Sequence, residues 1–136
     1  MSSLAVRQAF ETAWPSIVPG IPLQDTINEE PDRAVLPDQW ATVDYIPSDD
    51  PQISLGEPAC WRESGVILVV VFALPGLGDD AAVTMADAVR DGFRYWKDPT
   101  NEIKIDQATA PESGGASDGR WFAASVSLSY QYDRVI

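Results

Sequence analysis

Three adjacent carboxylate pairs are the side chains of this chain that could most readily do chemistry. They are Glu29–Glu30, Asp49–Asp50 and Asp79–Asp80. Such a pair could bind a divalent cation or act in acid–base catalysis. A hard-ion loop, however, needs oxygen ligands at alternate positions and a turn glycine, and no such series accompanies the pairs. We therefore interpret them as solvated turn residues and predict neither a metal site nor a catalytic set.

Histidine and cysteine, two residue types common in catalytic and metal sites, are nearly missing from the chain. The chain has no histidine, which removes the commonest general base and every Ser–His or Cys–His arrangement. Cys60 is the only cysteine, so no intramolecular disulfide or thiolate cluster can form. The sequence PGLGDD at 75–80 lies where phosphate loops lie, but it lacks the Lys-Ser/Thr of a Walker-type loop and its aspartates would repel phosphate. We expect no cofactor and no enzymatic activity.

Five tryptophans could stack on a ligand or on nucleotide bases. Trp14 and Trp96 fall on apolar helical stripes, which favours the core instead. Two others adjoin arginines near the starts of predicted strands, and aromatic and arginine residues dominate contact hot spots. The candidates for a subunit interface are therefore Trp61, Arg62, Arg120 and Trp121.

The charge is strongly negative, with 21 acids against 9 bases and a net charge of −12. Such a surface repels nucleic acid and anionic membranes. The negative charge either keeps the protein soluble or prevents nearby DNA from adhering to its surface. The N-terminus does not resemble a signal peptide, and the apolar run Val66–Leu74 is too short to cross a bilayer. We expect synthesis in the cytoplasm and no membrane partner.

The segment from Arg62 to Trp96 is the most distinctive part of the chain. A strand from near Cys60 to Leu74 is followed by PGLGDD and an amphipathic helix. Every residue from Val66 to Leu74 is apolar, so both faces of this half must be covered. Because so small a chain has few helices, we expect another copy to supply part of the cover. The first half, Cys60–Gly65, could project as a hairpin arm, with Gly65 permitting a bulge or bend.

Two helices are predicted from capping residues and apolar spacing. The first spans 3–14, and Pro15 ends it because the residue before proline avoids helical geometry. The second begins at Asp79 or Asp80 and continues to about Lys97, before Asp98-Pro99. Their apolar stripes consist of Val6, Phe10 and Trp14 in the first, and of Met85, Val89, Phe93 and Trp96 in the second.

A long last strand at 122–132 alternates apolar with small polar residues. We expect it to pair with a short strand at 102–106 and with the strand that ends at Leu74. Further strands are predicted at 39–46 and, briefly, within 21–27, and polar loops at 28–38, 47–59 and 107–119. The predicted fold is α+β, an antiparallel or mixed sheet with both helices on one face, in a single domain over 1–136.

The order and spacing of these elements resemble the tail terminator, or tail completion, proteins of long-tailed bacteriophages. In that family a strand with an Arg and a Gly near its start runs through valines to a Phe. A Pro/Gly turn follows, and then a helix with Ala-Asp that ends in Phe-Arg. The matching positions are Arg62, Gly65, Val69, Val71, Phe72, Pro75, Gly76, Gly78, Ala86, Asp87, Phe93 and Arg94.

The resemblance implies a ring-forming structural subunit of the virion. Such proteins form a hexameric ring on the tail tube in the tail–neck region, stop tube polymerisation and meet the head–tail connector, while DNA passes through the lumen. The partners would be the tail tube protein and a connector or neck protein. Two long loops, Ser48–Ala59 and Ala110–Gly119, are the expected contact regions. Their candidate contact residues are Asp49, Asp50, Leu55, Glu57, Glu112 and Asp118.

Three alternatives stay open at this point. Another ring protein of the same virion, a connector or a tube subunit, has a similar small α+β design, and a tube subunit would polymerise without limit. An acidic inhibitor that mimics DNA would need a regular array of surface acids. A carboxylate-dependent hydrolase would need two acids converging in a cleft, one with a raised pKa.

Overall fold

The computed structural model describes residues 4–19, 21, 23–24, 39–55, 59–73, 79–98, 102–117 and 121–135. For residues 24, 79–80, 112–117, 121 and 135 this description covers the backbone alone. The elements in chain order are α1 (Leu4–Ile17), β1 (Leu23–Gln24), β2 (Gln39–Asp49), β3 (Cys60–Ala73), α2 (Asp79–Phe93), β4 (Ile103–Ala108), β5 (Glu112–Ser117) and β6 (Trp121–Val135).

The strands form one mixed sheet in the order β1-β2-β3-β6-β4, with β5 also paired to β6. β1 is parallel to β2, and all other pairs are antiparallel. The central ladder joins β3 to β6 from Cys60↔Val135 to Ala73↔Phe122. The predicted α+β class and both predicted partners of the last strand are confirmed.

Both helices pack on one face of the sheet, called here the inner face. Alternate β3 residues point to it and are buried, among them Ile67, Val69 and Val71. Phe10 of α1 stacks on Phe93 of α2, with 4.5 Å between ring centroids. The two helices and the inner-face residues of β2, β3, β4 and β6 belong to one hydrophobic cluster. The predicted placement of both helices is therefore confirmed.

Both helix ends differ from the prediction. α1 continues past Pro15 to Ile17. A proline in the last turn removes only one hydrogen bond, and Trp14 is held in helical geometry by burial and by a 2.6 Å bond from its Nε1 to the Ile21 carbonyl. α2 stops at Phe93 because Tyr95 adopts a positive φ of 61°. Trp96 still packs against the core from outside the helix.

The strands are longer than predicted. β2 continues to Asp49 through a bulge between Pro47 and Asp49. The expectation of a polar loop over 107–119 is wrong for 107–108 and 112–117, because β4 continues to Ala108 and β5 folds back along β6. Pairing to a long neighbouring strand satisfies the backbone of this Ser/Gly-rich segment in spite of its low strand propensity.

Cys60–Gly65 is not a projecting arm, because its whole length pairs with β6. A bulge does lie beside Gly65, but on the neighbouring strand β2, between Pro47 and Asp49, rather than in β3. A Cβ placed at Gly65 would lie 2.9 Å from Pro47 Cα and 2.9 Å from Tyr130 Cε1. The position requires glycine because the neighbouring strand and an aromatic ring approach it closely.

Candidate interaction surface

The outer face of the sheet, opposite the helices, is apolar at its centre. Val66, Leu68, Val70 and Phe72 of β3 point to it and are half-buried, and Ile46 lies opposite Val66 on β2 and is 49% exposed. These five residues are called the outer patch. Neither of the two helices covers it, so the second cover that the sequence argument expects for β3 stays a prediction.

Small polar side chains surround the outer patch. On β6, Ser125, Ser127 and Ser129 lie opposite Val70, Leu68 and Val66. On β2, Thr42 and Asp44 lie opposite Val70 and Leu68, so Asp44 supplies the one charge beside the patch from these two strands. In a chain of net charge −12 this surface is close to neutral. A second acidic molecule can therefore approach it without strong repulsion.

A defined side-chain contact lies at each end of the outer patch. At one end, Trp40 stacks on Phe72 with 4.2 Å between centroids and 13° between ring planes. At the other end, Arg62 binds Asp133 through two bonds, Nε to Oδ1 at 2.7 Å and Nη2 to Oδ2 at 3.0 Å. The hydrogen bond from Arg62 lowers the pKa of Asp133, against a smaller opposing effect of burial.

The predicted interface residues do not come together in one chain. Trp61 is half-buried at the start of β3, and its neighbour Arg62 already has an intramolecular partner. Trp121 pairs with Ser117 at the opposite end of the β3–β6 ladder. At about 3.3 Å per residue, the two tryptophans are separated by roughly 40 Å. Arg120 lies outside the described residues.

A buried acid that the sequence reading missed lies near Arg62. Glu63 points to the inner face and is only 6% exposed. Tyr130 donates its hydroxyl to Glu63 Oε2 at 2.8 Å, and Arg134 Nη1 lies 3.8 Å from Glu63 Oε1. Arg134 also binds Asp50, which ties the β2–β3 connection to β6. The alternation of β3 places Glu63 in phase with Ile67, which was the available signal for its burial.

The β2–β3 connection is a hairpin held by two backbone–backbone hydrogen bonds and one bond to a serine side chain. Ile53 N donates to Cys60 O at 2.8 Å, Arg62 N donates to Pro51 O at 2.9 Å, and Cys60 N donates to Ser54 Oγ at 2.7 Å. Leu55 is 98% exposed at its tip, the most exposed large apolar side chain among the described residues. This tip, residues 51–55, is thus an ordered projection.

The other predicted contact residues are placed as follows. Asp49 is exposed at the β2 bulge and accepts a bond from the Asp50 amide, and Asp50 is engaged by Arg134. Glu112 begins β5, opposite Ser125. Glu57 and Asp118 lie outside the described residues.

A depression of about 290 Å³ was not predicted from the sequence. It lies beside the C-terminal end of α2 and is lined by Arg94, Tyr95, Asp106, Gln107, Ala108 and Thr109. Within the described ranges, no three acidic or cysteine side chains are grouped as they would be around a metal ion. Neither helix is both long and apolar enough to span a bilayer.

Comparisons with known proteins bear on this surface. A family model described as phage tail terminator protein matches residues 3–130. One solved structure has a TM-score of 0.64 at 18% identity, covering 97% of this chain and 96% of that one. At that identity the likeness concerns the fold alone. No curated protein sequence matches. Because the family model spans nearly the whole chain, the chain belongs to the phage tail terminator family and is a structural protein of the phage tail.

Proposed function

We propose that this chain forms a ring, of six copies by the family resemblance, that caps the tail tube, ends its polymerisation and joins the tail to the head connector. The family match over residues 3–130 carries this proposal. The near-neutral outer patch on an otherwise acidic chain supports it, because a subunit that must contact identical copies needs an uncharged contact surface.

Each subunit of the proposed ring is a single domain. The ring is assembled in the host cytoplasm and becomes part of the tail–neck region of the virion. DNA passes through the ring without specific binding, and the acidic surface prevents adhesion. We assign Trp61, Arg62, Arg120 and Trp121 to the margins of the subunit contacts. Asp49, Asp50, Glu57, Glu112 and Asp118 are assigned to contacts with the tube or the connector, whereas Leu55, predicted with them, is assigned below to a contact between copies. No cofactor takes part.

A tube-growth assay tests this function. Tube protein of the same phage is allowed to polymerise with and without the chain, and tube lengths are measured by negative-stain microscopy. We expect growth to stop and ring density to appear at one tube end. Leu68→Lys, which charges the outer patch, should abolish the effect.

The matched control is Ala88→Lys, which adds the same charge on an exposed α2 position. It should terminate tubes as the unmodified chain does. Tubes that grow to the same length with and without the chain would refute the proposed function. Incorporation of the chain along the tube wall would instead identify a tube subunit.

A further inference from the structure

Within the part of the chain that the structure describes, Leu55 at the hairpin tip is left almost fully exposed. Leu55 is 98% exposed and Ile53 is 44% exposed, although backbone bonds to Cys60 and Arg62 hold the segment in place. Exposing a large apolar side chain on an ordered support costs transfer free energy that burial in a contact would recover. We propose that the Leu55 tip of one copy docks on the outer patch of the next copy around the ring, an inference that rests on the proposed function.

The tip cannot reach the outer patch of its own chain. It projects beyond the Cys60 end of β3, whereas Leu68 lies at the centre of the patch. Eight residues of strand separate Leu68 from Cys60, which lies beside Ile53, so at about 3.3 Å each the tip is roughly 26 Å or more from Leu68. The rigid β3–β6 ladder between them prevents the hairpin from folding back. Any contact between tip and patch must therefore join two copies.

Charge makes the two surfaces compatible. Residues 51–55, PQISL, carry no charged side chain. The neighbouring Asp50 is paired with Arg134. The outer patch has only Asp44 beside it on β2 and β6. Asp49 and Glu57 flank the tip in the sequence, but the five tip residues that would touch the patch bring no charge to the contact, so it lacks the repulsion that the rest of a −12 surface would impose.

The edges of the sheet are less suited to joining copies. β2 carries Pro47 and a bulge near its free edge, and β4 and β5 each have a register shift against β6. Prolines and bulges are the features by which proteins prevent edge-to-edge pairing. The contact therefore uses the face of the sheet. Because tip and patch are different surfaces of one molecule, the contact is head-to-tail, the type that closes into a ring.

Disulfide trapping tests the contact. In a Cys60→Ser background, which removes the only cysteine, Leu55→Cys and Leu68→Cys are introduced into separate chains. The two proteins are mixed under oxidising conditions, and cross-linked peptides are identified by mass spectrometry. The matched control uses Leu4→Cys in place of Leu55→Cys. Leu4 lies on α1, and its side chain is 66% exposed. A disulfide forms only when the Cα atoms approach to about 4.4–6.8 Å.

We expect the 55–68 link to form at least tenfold more than the 4–68 link. Equal yields, no 55–68 link, or dominant 55–55 or 68–68 links would overturn the inference. The tube-growth assay separates the two proposals. Tubes that are capped without a 55–68 link would refute the tip contact alone. A 55–68 link formed by a chain that leaves tube growth unchanged would refute the capping function alone.

Discussion

Replacing Tyr130 by phenylalanine removes one atom from the buried end of the sheet. The hydroxyl of Tyr130 donates to Glu63 at 2.8 Å, and Glu63 is 6% exposed. A hydrogen bond to a charged group contributes about 1.5–3 kcal/mol, and loss of a buried partner adds desolvation cost. Because Arg134 remains near Glu63, we expect a loss of about 2 kcal/mol. An unfolding entropy of about 2.1 cal/mol/K per residue converts this to roughly 7 °C in Tm.

Thermal and urea unfolding followed by circular dichroism measure this loss. Tyr95→Phe is the matched control, since Tyr95 is 79% exposed and the same atom is removed. A surface change of this kind stays within about 0.5 kcal/mol of the original stability. If Tyr130→Phe and Tyr95→Phe unfold together, Glu63 is not held by a buried bond. The description of Glu63 as a buried acid that Tyr130 stabilises would then be wrong.

Three further predictions concern the core, the close approach at Gly65 and pH. Phe10→Ala should cost about 3–5 kcal/mol by equilibrium unfolding, because Phe10 is fully buried against Phe93, whereas exposed Thr12→Ala should change stability little. Gly65→Ala should cost about 1–3 kcal/mol, since the new Cβ crowds the backbone of Ile46 and Pro47 as well as the ring of Tyr130, and unchanged urea unfolding would contradict the crowding. The ion pair with Arg62 lowers the pKa of Asp133 in the folded chain. The pair therefore stabilises the fold fully above the ordinary pKa of 3.8, and this stabilisation is lost as the pH falls through the lowered pKa. The Tm difference between the unmodified chain and Asp133→Asn should be present at pH 7 and shrink below about pH 4, and a difference that is constant with pH would contradict the pairing.

The sequence predicted the parts of the fold that depend on periodicity. The alternation of residues 122–132 placed β6, and the four-residue spacing of Val6, Phe10 and Trp14 placed the buried stripe of α1. The apolar run also placed β3, whose inner-face residues are buried and whose outer-face residues are half-buried in one chain. These signals depend on burial of one face, which leaves a direct trace in residue order.

The errors lie where pairing or local geometry decides. β5 has a Ser/Gly-rich sequence with little strand propensity, and only its long partner β6 makes it a strand. The end of α2 depends on the positive φ of Tyr95, which no local pattern indicated. The partner of Arg62, Asp133, is 71 residues away, so its ion pair could not be foreseen from spacing. The expected cover of β3 by another copy stays a prediction, and the sequence did not indicate the detailed contacts around that surface.

The central claim is that this chain closes into a ring that ends tube growth. Native mass spectrometry of the chain, alone and after addition to tail tubes, with negative-stain images of the same samples, tests it most directly. We expect a closed species of six times the 14.8 kDa subunit mass, either free or released from tube ends, that does not grow further. A chain that stays monomeric in the presence of tubes, or that extends into tubes itself, would contradict the account.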